Sequence, residues 1–245
     1  MRELFINLGT VFGSLAFIFV MYKKTKSIRQ AVLNLIICLA LFGIGAVAGE
    51  VVRTWNFWEF HSFSEFIETM VTDRIGTHFL GRVLFAAWIL PFIYWLIEKI
   101  GKGKFKMDRK SAYDAVAFYF VIQHIFSRIG CFLNGCCYGK YYTGPGSVTF
   151  PTMFVDYPVF PSQLMEAIAT AGLLIFLIVR WRKKKPLLGL SLVIFGTIIF
   201  ISEFFMDQSG VLRIAGINMI QVTAFLTILT GVFYIDKLQR KEKKI

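Results

Sequence analysis

The chain reads as an all-α integral membrane protein: seven transmembrane helices in a single polytopic domain, N-terminus outside and C-terminus cytoplasmic. Three observations predict this. Of its 245 residues, 56% are hydrophobic and only 17% charged, with mean hydropathy +0.64, far too apolar for an ordinary soluble domain. Seven largely apolar runs approach the roughly 20 residues a helix needs to cross a bilayer. Every second connection between those runs is basic. Helices are the expected spanning form because backbone groups cannot go unpaired in hydrocarbon, and the sequence lacks the short alternating runs of a membrane strand barrel.

The predicted spans are 4–22, 31–52, 79–97, 111–130, 162–180, 187–205 and 217–235. The first has no small-residue cleavage site after it, only "KKTKSIR", and is expected to be retained. Lys23, Lys24, Lys26 and Arg29 follow it. Lys99, Lys102, Lys104, Lys106, Arg109 and Lys110 follow the third span, Arg180, Arg182 and Lys183 to Lys185 the fifth, and Lys237, Arg240, Lys241, Lys243 and Lys244 the last. The other connections hold only Arg2, Arg53, Arg74, Lys140 and Arg213, with the acids Glu59, Glu65, Glu68 and Asp73. The positive-inside rule then sets the orientation. The net charge of +12 reads as anchoring beside anionic lipid rather than as a nucleic-acid surface. The outer stretch 53–78 contains "WNFWEFHSFSEFIETM", whose Trp55, Trp58 and Phe60 suit a helix at headgroup level.

Ionisable residues inside spans are expensive and normally face a bundle interior or cavity. With the orientation assigned, Arg82, His124, Arg128, Glu166 and Glu203 all fall in the outer half, which predicts one polar pocket opening outward. His124 and Arg128 stand at i, i+4 on one helix face, suited to an anion with the imidazole as a proton acceptor. Glu166 and Glu203 either neutralise Arg82 and Arg128 or take a direct catalytic part. Arg82 near a span end also fits snorkelling to headgroups. After Arg128 comes "IGCFLNGCCYGKYYTGPG". Its Gly130, Gly135 and Gly139 are expected to break the helix and allow close backbone approach to a ligand, and Asn134 offers both donors and an acceptor. The stretch therefore reads as a span unwinding into a cavity-lining loop.

Of the four cysteines, Cys38 sits mid-span among apolar neighbours and reads as packing. Cys131, Cys136 and Cys137 lie on the outer side. The C-x4-C-C spacing lacks the paired halves of a zinc site, and the C-x-x-C of thioredoxin-like chemistry is missing. A disulfide in an oxidising compartment and small fillers of a tight turn remain, although adjacent Cys136 and Cys137 pair with each other only under strain. No metal or other cofactor is expected.

"RIGCFLNGCCYG" resembles the signature of the bacterial prolipoprotein diacylglyceryl transferases, G-R-x-G-N-F-x-N-x-E-x-x-G, through Arg128, Gly130, Phe132, Asn134 and Gly139. "FPSQLMEA" is similar to that family's H-P-S-Q-L-Y-E, through Pro161, Ser162, Gln163, Leu164 and Glu166. "IIFISEFFMDQ" is similar to its F-R-x-x-x-E-F-x-R, and "GINMIQVTAFLTILTG" to its closing Q-x-x-S helix. His78 in "GTHFLGRVLF" stands near the family's histidine at the start of the third span. The departures are Cys131 for Asn, Cys136 for the acid, Phe160 for His, Met165 for Tyr and Ile199 for Arg.

The resemblance implies transfer of the diacylglyceryl group of phosphatidylglycerol to the lipobox cysteine thiol of a secreted or membrane preprolipoprotein, releasing glycerol phosphate. The protein would sit in the bacterial cell membrane with its active site toward the outer leaflet. In this reading His124, Arg128, Glu166 and Glu203 are the catalytic candidates, with Arg128 on the phosphate and His124 as base for the acceptor thiol. Arg82, Gly130, Asn134, Gly139, Gln163 and His78 bind substrate, and Cys131, Cys136 and Cys137 have a possible thiol role. Two alternatives stand beside it: a divergent lipid transferase using another acceptor or an enzyme cysteine, and a lipid-binding or transport protein without enzymatic activity. The latter is disfavoured by the absence of inverted repeats and of mid-bilayer polar residues.

Overall fold

The computed structural model describes residues 1–54, 79–100, 108–151, 155–207, 213–214 and 217–242. Seven helices occur among them: α1 (Arg2–Thr25), α2 (Ile28–Thr54), α3 (Phe79–Ile100), α4 (Arg109–Asn134), α5 (Ser162–Arg182), α6 (Leu188–Ser202) and α7 (Met219–Glu242). Five segments are long and apolar enough to cross a membrane, namely α1, α3, α4, α5 and Ile28–Ala46 of α2. Large apolar side chains such as Ile36, Phe92, Ile168, Ile175 and Phe225 stand exposed along the helices, as a lipid-facing surface requires and a water-facing one does not. The chain is an integral membrane protein. Helix α6 has 15 residues, about 22 Å at 1.5 Å per residue, which is short against a hydrocarbon core of about 30 Å.

Two features differ from the sequence expectation. Helix α4 runs four residues beyond Gly130, because that glycine lies within the helix at a packing contact and does not terminate it. A Cβ there would sit 2.8 Å from the Phe5 side chain and 3.2 Å from the Arg2 carbonyl. The turn comes instead at Gly135, with φ +70°. The chain also forms two small antiparallel ribbons that apolar periodicity did not flag: β1 (Val148–Phe150) with β2 (Val155–Val159), and β3 (Arg213–Ile214) with β4 (Ile217–Asn218). They are too short to carry a sheet-like hydrophobic pattern of their own. The stretch 55–78, with its expected headgroup-level helix and His78, lies outside the described residues.

Two compact units divide the fold. One comprises Met21–Ala112. In it α2 packs on α3 across Gly45, whose missing side chain leaves room for Phe85 and the Arg82 backbone, and the Tyr94 hydroxyl donates to Asn34 Oδ1 at 2.6 Å. Arg82 is half-buried on α3.

The other unit comprises Met1–Val20 and Tyr113–Ile245. Small residues set its helix contacts, as membrane helix packing favours. Gly9 and Gly13 of α1 admit Phe126 and Tyr119 of α4, and Gly189 and Gly196 of α6 meet Gly231 and Ala224 of α7. Asp114 Oδ1 accepts the Leu187 N–H at 3.0 Å, capping the start of α6. Helix α7 begins in a capping box: Asn218 Oδ1 accepts the Gln221 N–H at 2.7 Å, and Gln221 Oε1 accepts the Asn218 N–H at 3.1 Å.

The α6–α7 contact gives a direct test. A Cβ on Gly231 would lie 2.5 Å from the Gly189 carbonyl oxygen, a backbone atom that cannot rotate away. Gly231→Val is expected to destabilise the protein by about 1–3 kcal/mol as overpacking, read as a lower melting temperature in detergent. Gly172→Ala, with nothing within 4 Å of its Cβ, should melt at or above the wild type.

Candidate functional site

The polar cluster is built on α4, α5, the end of α6 and the start of α7, all within one unit. Glu166 is at its centre. It lies one turn into α5 with its side chain wholly buried, and its Oε2 is shared by two partners, Arg128 Nε at 2.6 Å and His124 Nε2 at 3.2 Å. The i, i+4 spacing of His124 and Arg128 on α4 is what lets both reach one carboxylate oxygen. The Arg128 side chain stays 17% exposed, while His124 is buried, with the Phe195 ring edge-on at 4.9 Å. A buried carboxylate is tolerated only with such compensation. Glu203, the residue after α6, is also buried, and its Oε2 accepts from Asn218 Nδ2 at 2.8 Å. Glu203 lies near enough to act on the Arg128 charge.

The loops explain why these helix ends converge. The chain after α4 is stitched to the segment entering α5 and to the segment leaving α6. Gly139 N–H donates to the Phe160 carbonyl at 2.8 Å, Lys140 N–H to the Phe205 carbonyl at 2.9 Å, and Asp207 N–H to the Tyr138 carbonyl at 3.1 Å. Gly139 is required here. A Cβ would meet the Phe160 and Phe205 carbonyl oxygens at 2.6 and 2.7 Å. The close approach foreseen for Gly139 is thus made by the protein's own backbone. The Phe160 and Phe205 rings pack against each other at a tilt, with centroids 5.4 Å apart.

Helix α5 also holds the cysteine loop. Gln163 is buried and donates Nε2 to the Cys136 carbonyl at 2.6 Å, and Ser162 Oγ donates to the Cys137 carbonyl at 3.0 Å. Gln163 Oε1 is buried without a hydrogen-bond partner among the described residues. Cys131, Cys136 and Cys137 are all free, ranging from buried to exposed in that order, and their three sulfurs lie within 4.8 Å of one another. Asn134 ends α4 half-exposed.

The structure therefore brings together His124, Arg128, Glu166, Glu203, Gln163, Gly130, Gly139, Asn134 and the three outer cysteines. Arg82 belongs to the other unit, and His78 lies outside the described residues. Two residues were missed from sequence. Arg2 lies beside Gly130 and its charge acts on both Cys136 and Cys137; as a lone arginine at a chain end it gave no signal. Asn218 holds Glu203, and the N-x-x-Q pattern ahead of an apolar run was the available clue. On the other side of the α5 entry, Pro161, Leu164, Met165, Ile168 and Ala169 line an apolar groove of about 420 Å³.

The sequence pattern of one family, prolipoprotein diacylglyceryl transferase, matches residues 4–236. Among individual relatives, a phosphatidylglycerol–prolipoprotein diacylglyceryl transferase of Vibrio vulnificus is 36% identical over 196 residues, 77% of this chain and 69% of the relative. The protein of that name from Vibrio parahaemolyticus is 28% identical over 220 residues, 82% of this chain and 76% of the relative. The one from Chlorobaculum tepidum is 37% identical over 119 residues, 45% of this chain. In this last case the chain spans only 40% of the relative's length.

The outer thiols should differ in reactivity. The neighbouring Cys131 and Cys136 thiols, helped by the Arg128 and Arg2 charges, hold the Cys137 thiol below its ordinary range despite partial desolvation. For Cys136 the hydrogen bond with Cys131 lowers the pKa, but the bond to Cys137, desolvation and the Cys137 charge outweigh it and raise the net value. The thiolate is the nucleophile, so on reduced protein at pH 6 iodoacetamide should alkylate Cys137 first and faster than a free cysteine peptide. That advantage should shrink as pH rises above the ordinary thiol range. Peptide mapping by mass spectrometry reads the result.

Proposed function

Because the chain belongs to the prolipoprotein diacylglyceryl transferase family, we propose that it moves the diacylglyceryl group of phosphatidylglycerol onto the lipobox cysteine thiol of a preprolipoprotein, releasing glycerol phosphate. The observation that carries this reading is Arg128. It is a partly exposed guanidinium anchored through Nε to a buried carboxylate on the neighbouring helix. A guanidinium has five N–H donors in a fixed fork. The contact with Glu166 is an ion pair at Nε; in this reading the Nη donors meet the phosphate, and a group held by such a pair needs little reorganisation as charge develops on the leaving oxygen.

The remaining roles follow from position. Glu166 holds Arg128 in place. His124 reaches the reacting centre through Glu166, so its part in taking the acceptor's proton is indirect. Glu203 and Asn218 fix the start of α7 against the end of α6, and Glu203 adds negative potential behind Arg128. Gly130 and Gly139 admit the close backbone packing that closes the site, Gln163 and Ser162 position the cysteine loop, and Asn134 faces the entrance. In this reading Arg82 and His78 keep the substrate-binding roles that the family resemblance implies. The apolar groove along Leu164 and Ile168 suits an acyl chain arriving laterally from the bilayer. Seven spans, counting α6 and α7, with the N-terminus outside put this site toward the outer leaflet of the bacterial cell membrane, where a secreted acceptor arrives. The exposed Cys137 favours one second reading, in which the lipid group passes through an enzyme thiol.

The test uses the purified protein in detergent with isotope-labelled phosphatidylglycerol and a lipobox peptide. The expected result is a diacylglyceryl mass gain on the peptide and labelled glycerol phosphate in solution. No gain with a folded protein would refute the reading, and a gain on Cys137 alone supports the enzyme-thiol route. Arg128→Lys keeps the charge opposite Glu166 but loses the fork, so transfer should fall by about 100-fold or more with little change in melting. Arg128→Ala strands a buried carboxylate and should also cost about 3–5 kcal/mol of stability.

A further inference from the structure

The three outer cysteines are not absorbed by the family pattern, since Cys131 and Cys136 stand where it has other residues. Linear spacing argued against a metal, but the fold changes the terms. The backbone reverses at Gly135 and Cys137, with φ +70° and +59°. The left-handed region is sparsely populated for a cysteine, and such strain persists only where the surroundings enforce it. Here the loop is pinned on both sides of the reversal. Cys136 N–H donates to the Cys131 carbonyl at 3.1 Å, while Gln163 and Ser162 hold the Cys136 and Cys137 carbonyls. The outcome is three free thiols with sulfurs within 4.8 Å of one another.

We infer that Cys131, Cys136 and Cys137 form a three-thiolate site for one zinc(II) ion, and, resting on the transfer reading above, that its fourth coordination position takes the acceptor thiol. Zinc–sulfur bonds of about 2.3 Å at tetrahedral angles place sulfurs about 3.8 Å apart, so the widest pair needs to close by only about 1 Å. All-sulfur ligation selects zinc, copper(I) or iron–sulfur clusters, and sulfurs within 4.8 Å of one another suit a single ion. Three thiolates leave one negative charge with zinc(II) and two with copper(I), and the countercharges within reach are Arg128 and Arg2, Arg128 being shared with Glu166. That balance favours zinc. Structural zinc sites are closed by four protein ligands, whereas three protein ligands with an open position mark the catalytic kind. The missing second half of the motif is what leaves the position open.

A thiol that coordinates zinc gives up its proton outright, here to solvent. Its thiolate sulfur then forms a bond to the glyceryl carbon bearing the phosphate. The carbon–oxygen bond to phosphate breaks, and the electron pair leaves on the glycerol phosphate beside Arg128. The neutral thioether formed is a poorer ligand than a thiolate and vacates the metal.

The experiment begins without lipid. Reduced, metal-stripped protein in detergent is titrated with zinc(II) against a colorimetric chelator, and with cobalt(II) read by sulfur-to-metal charge-transfer absorption. One ion per chain is expected for the wild type and for Cys38→Ser, and none for Cys136→Ser or Cys137→Ser, each checked for unchanged detergent melting. Failure of the wild type to bind, or binding that survives both substitutions, overturns the site. A lipobox peptide is then added to the cobalt form. A changed absorption with the cysteine peptide and none with its Cys→Ser counterpart supports the open position, and an unchanged spectrum overturns it. Metal binding is read without phosphatidylglycerol, so its failure leaves the transfer reading standing. Absent transfer by a protein that binds zinc refutes the transfer reading, and with it the acceptor's place on the metal, and leaves the three-thiolate site standing.

Discussion

A single carboxylate oxygen organises this site. Glu166 is wholly buried, and its Oε2 is contacted by both Arg128 and His124. A carboxylate in that position is costly unless paired, so α4 and α5 are held at the one relative depth where both partners reach it. The charge distribution follows from that pairing. Arg128 cannot withdraw without stranding Glu166, and it is thereby kept at the partly exposed edge where a second anion can meet it.

The loops serve the same constraint. Five backbone hydrogen bonds join the chain leaving α4 to the chains flanking α5 and α6, and Gly139 is where the Phe160 and Phe205 carbonyls crowd closest. Any side chain there would push apart the segments carrying Glu166 and Glu203. The buried Asn218–Glu203 bond extends the connection to α7. Polar and charged residues from four elements are thus tied together by few but directional contacts, in a protein whose helix crossings elsewhere use glycine.

Much of this was legible in sequence. Burial cost marked Arg82, His124, Arg128, Glu166 and Glu203 as one pocket, because an ionisable residue inside an apolar run has few physical justifications; the last four share one compact unit and Arg82 belongs to the other. Five of the spans followed from run length. Other features were hidden for physical reasons. Gly130 signals a helix end by propensity, yet tertiary contact with Phe5 and Arg2 keeps it helical. Arg2 resembles any terminal charge until α1 packs on α4. The three outer cysteines were grouped from sequence, but the convergence of their sulfurs was not, because it depends on the reversal at Gly135 and Cys137, which sequence spacing does not encode. Cys131, which stands where the family has Asn, is buried one turn beyond Arg128, so the departure from the family pattern falls inside the site.

The central claim is that Arg128, clamped by Glu166, receives the lipid phosphate. An experimental structure of the protein with bound phosphatidylglycerol tests it most directly. The account predicts the phosphate within hydrogen-bonding distance of the Arg128 Nη atoms, with Nε still on Glu166 and an acyl chain along Leu164 and Ile168. A headgroup bound away from Arg128, with the guanidinium closed off by protein groups, would contradict it.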